Sequence, residues 1–475
     1  MTDLTLTDNE VARRLEAFET EHGVFGIVVG GVSIWRLVRF EMFMRLRQLG
    51  LAQPPIPREY LLGSLARAGL QYARLRGSLR YVAKSVNSGL RYEDAGGLVD
   101  VYFDHLIDAL PGGSKISSID SIKFDPTHRL ARRRPVFDDT SIYAMAAVLA
   151  RLVPVEPRGT FAKLAQLTQA RLGAVFATTD WFRLKFSAFQ WRAWLYGRVL
   201  RRLNARSVLV ANSGQFSLHQ AARSQGIPFV EMQHGIFSAD HPDALPAFAL
   251  VGGDERSLMI PDALTVYGDY HAQLLSSTAL AVKGEIVPIG APLIEIGREV
   301  RARRIVTPSA PPVLTFSSQG IQREEVTRFL GSFLSLMRSP IELKIRLHPG
   351  YDFDSSVFGG IADDPRVEVQ LANRAPWTYE QIALSDLHLS ISSACHHDAI
   401  GIGTPTAVLA LPGHEVVGDL VKAGLAPLIR TPEELARMVE QRAWPTAPPG
   451  ASEHLYRPGF TANVDRLLTG LGVVP

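Results

Sequence analysis

One cysteine, Cys395, stands in 475 residues, which excludes an intramolecular disulfide and a cysteine-based metal site. A reducing cytoplasm suits such a chain. Net charge is equally scarce: 50 Lys and Arg against 47 Asp and Glu leave +3, and neither zinc-finger spacing nor a basic tail is present, so nucleic acid is not an expected partner. Long apolar runs are missing too. Residues 24–34 form an apolar stretch shorter than the ~20 residues that cross a bilayer, and Trp35, Arg36 and Arg39 follow it at once. The start, with Asp3, Asp8 and Glu10, has no basic region of the kind that opens a signal peptide. These absences predict a cytoplasmic protein without a transmembrane segment. What is plentiful is core material, 46% hydrophobic residues, and the length exceeds what one core usually serves, so two domains are expected.

Acid is locally scarce as well. Across residues 58–91 the cations Arg58, Arg67, Arg74, Arg76, Arg80, Lys84 and Arg91 face Glu59 alone, with leucines and tyrosines between them. This run reads either as a basic amphipathic helix lying on an anionic membrane surface or as an ordinary solvated helix face.

Two short histidine motifs each follow a β-like run. Residues 207–212 read as a strand, 216–225 as a helix and 229–232 as a strand, which ends on Gln233-His234-Gly235. Residues 342–347 alternate as a strand and end on His348-Pro349-Gly350. In open α/β sheets ligands sit at the carboxyl ends of strands, so the motifs mark two candidate walls of one site. A third strand, 387–391, exits at Ser392-Ser393 into a predicted helix over 394–402, where hydroxyls and unpaired backbone N–H groups suit a phosphate.

The predicted organisation is α/β. The first 97 residues read as mainly helical, 97–103 as a strand, and 141–152 as a helix; strands over 263–266 and 285–289 flank a helix over 269–280. The charged, proline-ended run 298–312 then breaks the rhythm before a second alternating series that runs to about residue 442. The expected domains are therefore 1–300, 301–445, and a tail, 446–475, whose last helix (461–471) packs back on the N-terminal domain.

With these motifs on the page, the chain resembles bacterial GT-B glycosyltransferases of capsule and surface-polysaccharide assembly, including sialyltransferase-like and Kdo-transferase-like enzymes. The resemblance rests on Glu231-Met-Gln-His-Gly235, Val266-Tyr-Gly-Asp-Tyr270, Pro288-Ile-Gly-Ala-Pro292, Arg346-Leu-His-Pro-Gly350, and Ser392-Ser393 followed by Asp398 and Gly403-Thr-Pro405. It implies two Rossmann-like domains with parallel sheets facing across a cleft. It further implies that His348, Ser392 and Ser393 bind the donor phosphate, with Arg346 as a further cation, and that Asp398 holds the donor ribose. Asp398 is shorter than the usual Glu, and Ala394 stands where many relatives carry another hydroxyl.

Glycosyl transfer needs a base for the acceptor hydroxyl and a dipolar or positive cradle for the leaving phosphate. His234 is the first candidate base, since imidazole titrates near neutrality; Glu231 and Asp240 stand in reserve. No metal motif stands out, and the adjacent His396 and His397 point to different helix faces, so metal-independent chemistry without a cofactor is expected. The expected partners are a nucleotide-sugar donor, CMP- or UDP-linked, a polysaccharide or glycolipid acceptor, and an anionic membrane surface. Three other functions fit the same architecture: a CDP-polyol phosphotransferase of teichoic-acid-like synthesis, a sugar-nucleotide epimerase, and a non-catalytic assembly subunit.

Overall fold

The computed structural model describes residues 8–47, 58–85, 90–92, 97–117, 130–131, 133–155, 158–212, 214–235, 245–246, 248–305, 307–320, 322–348, 355–371 and 375–474. Thirteen of its strands make two parallel sheets. The first contains β1 (Tyr81–Lys84), β2 (Gly113–Ser117), β3 (Phe137–Asp138), β4 (Val208–Val210), β5 (Phe229–Met232), β6 (Ala263–Val266) and β7 (Glu285–Pro288), in the order β3-β2-β1-β4-β5-β6-β7. The second contains β8 (Val313–Ser317), β9 (Glu342–Arg346), β10 (Val367–Gln370), β11 (Leu387–Ser390), β12 (Thr406–Leu409) and β13 (Leu428–Ile429), in the order β10-β9-β8-β11-β12-β13. Both orders run 3-2-1-4-5-6 about a central crossover, the dinucleotide-fold arrangement, with one further strand on the first sheet. The molecule is α/β with two Rossmann-like domains, each built on one parallel sheet.

Alternation along the strands explains how the first sheet is covered. Val82, Val208, Val210 and Phe229 pack against Tyr196, Val199 and Leu200 of the long helix Thr179–Leu203. Their neighbours Tyr81, Leu209, Val230 and Met232 point the other way and meet Phe460, Val464 and Leu468 of the last helix, Phe460–Gly470. Both faces are apolar, as a parallel sheet requires.

The second sheet is apolar on one face only. Leu314, Phe316, Leu343, Leu389 and Leu409 meet the helices Arg323–Leu336 and Pro432–Glu440. On its other face, Thr315, Ser317, His388, Ser390 and Thr406 are all buried. The last four are hydrogen-bonded among themselves, the His388 ring lying 2.9 Å from Thr406 Oγ1 and 3.0 Å from Ser317 Oγ, and Ser390 Oγ donating to the Ser317 carbonyl at 2.7 Å, while Thr315 Oγ1 lies 2.6 Å from Ser385 Oγ. Each polar group finds a partner, which is what makes such a layer tolerable.

Three readings of the sequence need correction. The basic run 58–91 is not one helix: the helix ends at Arg74, and Tyr81–Lys84 is an interior strand of the first sheet. Its flanking cations are interior, Arg80 paired with Asp465 at 2.5 Å and Lys84 with Asp139 at 2.5 Å. The residues alternate too little to reveal a strand, and carboxylates distant in sequence, the buried Asp139 and the half-exposed Asp465, make the charges tolerable there. The charged run from 298 does not interrupt regular structure at once, because the helix Pro292–Arg303 passes through it. That helix packs on the C-terminal side, with Arg301 donating to the Ala383 carbonyl at 3.2 Å and Arg298 to the Gly401 carbonyl at 2.8 Å. The helix expected over 269–280 is two, Asp269–Leu275 and Ala279–Lys283. No helix among the described residues is long and apolar enough to cross a membrane.

Candidate functional site

The turn after β5 is fixed by one side chain. Gln233 Oε1 accepts the Tyr267 N–H at 2.9 Å and its Nε2 donates to the Gly235 carbonyl at 2.8 Å, while its backbone N–H bonds the Thr265 carbonyl at 2.8 Å. Tyr102 adds a hydrogen bond from its hydroxyl to the His234 carbonyl at 2.8 Å. His234 is thereby held, half-buried, at the carboxyl edge of the first sheet, and Glu231 sits half-buried on β5 itself. Asp240 lies outside the described residues.

In the second sheet, β8, β9 and β11 deliver three exits side by side, because these strands are neighbours. His348, half-buried, follows β9. At the β11 exit, Gln319 Oε1 accepts both the Ser392 N–H at 2.8 Å and the Ser392 hydroxyl at 3.1 Å. Ser393 Oγ accepts the Cys395 N–H at 3.2 Å, a bond across the turn that enters the helix Cys395–Ile402. The turn is thus shaped before any ligand arrives. Arg346 faces inward, 2% exposed; its guanidinium donates to Gln370 Oε1 at 3.3 Å and to the Pro376 carbonyl, and burial pushes its pKa down to about 10. Burial likewise pushes the Cys395 thiol up to about 11, which makes it a poor nucleophile.

Asp398 lies elsewhere than the phosphate turn. Its carboxylate accepts the Tyr456 hydroxyl in a small cavity of about 30 Å³ between the domains. Tyr102, Gln233 and Tyr267 line that cavity from the N-terminal domain, Tyr379 and Asp398 from the C-terminal one. Burial raises the Asp398 pKa to about 7, partly offset by the Tyr456 hydrogen bond. Space of this size suits a water molecule, far below the ~300 Å³ of a small-molecule pocket. His348, Ser392 and Ser393 are not part of its lining. Around it the two domains meet through ring contacts: Tyr267 stacks on Tyr456 with centroids 5.0 Å apart, and Tyr270 and His271 lie tilted to His397, each at 5.9 Å. His396 turns away, its Nδ1 2.7 Å from Thr406 Oγ1. No group of three or more metal-ligating side chains occurs among the described residues.

The structure therefore brings Ser392 and Ser393 together at one helix start, places His348 at the exit of the next strand but one, and sets His234 on the other sheet. Gln319, Gln233 and Tyr102 were not singled out from the sequence as site-forming residues. Gln319 carries the one signal that was available, a polar Ser317-Ser318-Gln319 exit from an apolar strand.

No family model and no curated protein matches this sequence. Among solved structures, the chain is similar to MurG from Acinetobacter baumannii, with 12% identity, a TM-score of 0.44, and coverage of 82% of this chain and 99% of that one. It is also similar to the wall teichoic acid polymerase TagF, at 10% identity, a TM-score of 0.48, and 91% and 97% coverage. A third is UDP-GlcNAc 2-epimerase from Neisseria meningitidis bound to UDP-GlcNAc, at 13% identity, a TM-score of 0.41, and 82% and 98% coverage. At these values the likeness adds nothing to what the strand order already establishes, which is a pair of Rossmann-like domains.

Proposed function

We propose that this chain transfers a glycosyl group from a nucleotide-linked sugar, CMP- or UDP-type, to a hydroxyl of a surface polysaccharide or glycolipid, at the inner face of the cytoplasmic membrane. The observation that carries the reading is the pairing of two strand-edge constellations on the two sheets: the locked Gln233-His234-Gly235 turn on one, and the pre-shaped Ser392-Ser393 turn with His348 on the other. A helix start with two hydroxyls beside it favours a phosphate, and His348 supplies a donor from the exit of a nearby strand. His234 takes the acceptor proton, with Glu231 and Asp240 as the next candidates. Arg346 serves by holding the loop around Pro376 rather than by touching phosphate, because its guanidinium is turned inward. For Asp398, contact with the donor ribose requires release of Tyr456; its present partner favours a part in joining the domains. Helix dipole and His348 stabilise the leaving phosphate without a metal in this scheme.

A thermal-shift panel with CMP, CDP, UDP, GDP and dTDP tests the donor class, since a ligand that binds only the native state raises its melting temperature. One or two related nucleotides should shift the transition. The product then separates the alternatives: a sugar added to the acceptor supports the reading, a new phosphodiester indicates polyol-phosphate transfer, and donor turnover without acceptor indicates an epimerase. No shift with any nucleotide removes the transferase reading.

A further inference from the structure

Three helices lie side by side over one face of the first sheet: Arg58–Arg74, Thr140–Leu152 and Thr179–Leu203. Their outer surface is apolar where solvent should favour charge. Leu62 and Leu70 on the first, Val148 and Leu152 on the second with Val153 just beyond, and Trp194 on the third are 49–74% exposed. Leu62, Ala66 and Leu70 recur every four residues, as do Val148 and Leu152, so each set forms one outward stripe. Trp191 ties two of the helices together, its Nε1 donating to the Val153 carbonyl at 3.0 Å, and packs edge-on to Trp194.

The charges around this surface have one sign. From Tyr60 through Tyr92, from Thr140 through Val155 and from Trp181 through Arg206 the sequence contains no Asp or Glu, although the whole chain has 47. Arg198 lies over the Trp194 ring at 4.9 Å, and Arg202 over Tyr72 of the neighbouring helix at 5.2 Å, so the cations share the surface with the exposed rings. Among the described residues no carboxylate pairs with Arg151, Arg198, Arg201 or Arg202.

We propose that this three-helix face docks on an anionic lipid bilayer, with Leu62, Leu70, Leu152 and Trp194 entering the interfacial layer and the arginines meeting lipid phosphates. The combination is what decides the partner. Aliphatic stripes have no use on nucleic acid, where stacking rings and polar contacts dominate. A second copy of the chain related by a twofold axis brings the same arginines face to face. An anionic bilayer answers both features at once: headgroups attract the cations, the acyl boundary takes the leucines, and tryptophan favours that depth. Docking here extends the membrane part of the function proposed above and shifts it from a single basic helix to a composite face. Vesicle binding is measured without donor or acceptor, so its failure and the failure of glycosyl transfer are told apart.

Co-sedimentation of the full chain with vesicles of phosphatidylcholine alone, and of phosphatidylcholine mixed with phosphatidylglycerol, is the test. Binding to the mixed vesicles only is expected, weakening as salt rises. Arg198→Glu/Arg202→Glu should lower partition at least about tenfold, since each cation near the surface is worth about fivefold. Leu62→Glu/Leu70→Glu/Leu152→Glu should lower it similarly, and the exposure of all these sites predicts unfolding midpoints like that of the parent chain. Emission from Trp194 should move to shorter wavelength on the mixed vesicles, a shift lost in Trp194→Phe. Equal partition into both vesicles, partition unaffected in both sets of variants, or an emission shift that survives Trp194→Phe overturns the proposal. So does concentration-dependent self-association that the same variants abolish.

Discussion

His234 and His348 each stand two residues beyond the end of a strand, and the roles proposed for them predict different damage. His348→Ala should weaken nucleotide affinity and lower turnover together, because the phosphate is both anchor and leaving group. His234→Ala should leave nucleotide affinity close to that of the parent while kcat falls by roughly 10²–10⁴, the usual contribution of a positioned base; steady-state kinetics beside nucleotide titration separate the two, and a near-normal kcat in His234→Ala shifts attention to Glu231 and Asp240. Asp398 makes a prediction of its own. Its folded pKa, about 7, stands above its ordinary value of 3.8, so stability is lost as pH rises between those values, where the unfolded chain ionises and the folded one resists. Asp398→Asn keeps an acceptor for Tyr456 and removes the ionisation, so its melting temperature should gain on the parent more at about pH 8 than at about pH 5.

At the scale of elements, the tail is the joint of the molecule. Glu295 accepts the Gly459 and Phe460 N–H groups at 2.6 and 2.8 Å, capping the last helix from another segment. Arg298 donates to the Gly401 carbonyl at 2.8 Å, to the Ser452 carbonyl at 3.2 Å and hydroxyl at 2.9 Å, and to the Tyr456 carbonyl at 3.0 Å. Arg298→Ala leaves these carbonyls short of a donor, and a loss of about 3 kcal/mol is expected in denaturant unfolding. Gly290→Ala should be at least as harmful: φ is +85° there, and an added Cβ would stand 2.1 Å from the Arg457 carbonyl oxygen. That contact also shows how the sequence was legible and where it was not. Val266-Tyr-Gly-Asp-Tyr270 and Pro288-Ile-Gly-Ala-Pro292 stood out as motifs, yet their glycines are needed because residues 454–457 run against them, contacts 167 to 187 residues distant that no local pattern records. The βα rhythm from 207 to 430 was readable because apolar strands and glycine or proline breaks are local signals. The interior strand Tyr81–Lys84 was not, because its neighbouring charges find their partners, Asp465 and Asp139, only in the folded chain. The same holds at the site: the histidines and serines announce themselves at strand exits, whereas Gln319 and Tyr102 act through bonds to residues 73 and 132 positions away.

For the whole molecule, the buried histidines set the response to acid. His219, His271 and His396 are pushed down to about 3 and His397 to about 4, and His388 lies well below the ordinary 6.5, burial being the leading cause in each. A group with a depressed folded pKa stays neutral in the native state while the unfolded chain takes up its proton. Their contribution is therefore complete above about pH 6.5 and declines as pH falls toward the folded values. Asp398 works in the opposite direction over part of that range, one group against five. The urea midpoint should fall steadily from about pH 7 to about pH 5, well before ordinary carboxylates titrate; a flat profile would mean that these rings are hydrated or paired otherwise than described.

The last helix has a further consequence, which concerns time rather than place. Tyr81, Leu209 and Val230 on one face of the first sheet wait for Phe460, Val464 and Leu468. On the ribosome, the sheet built from the early part of the chain keeps that face open while the whole second domain is made. The second domain has its own core, Leu314 through Val439, and can close first. The N-terminal domain is thus begun before the second and completed after it, and its apolar face is a natural client surface for chaperones until the helix Phe460–Gly470 emerges.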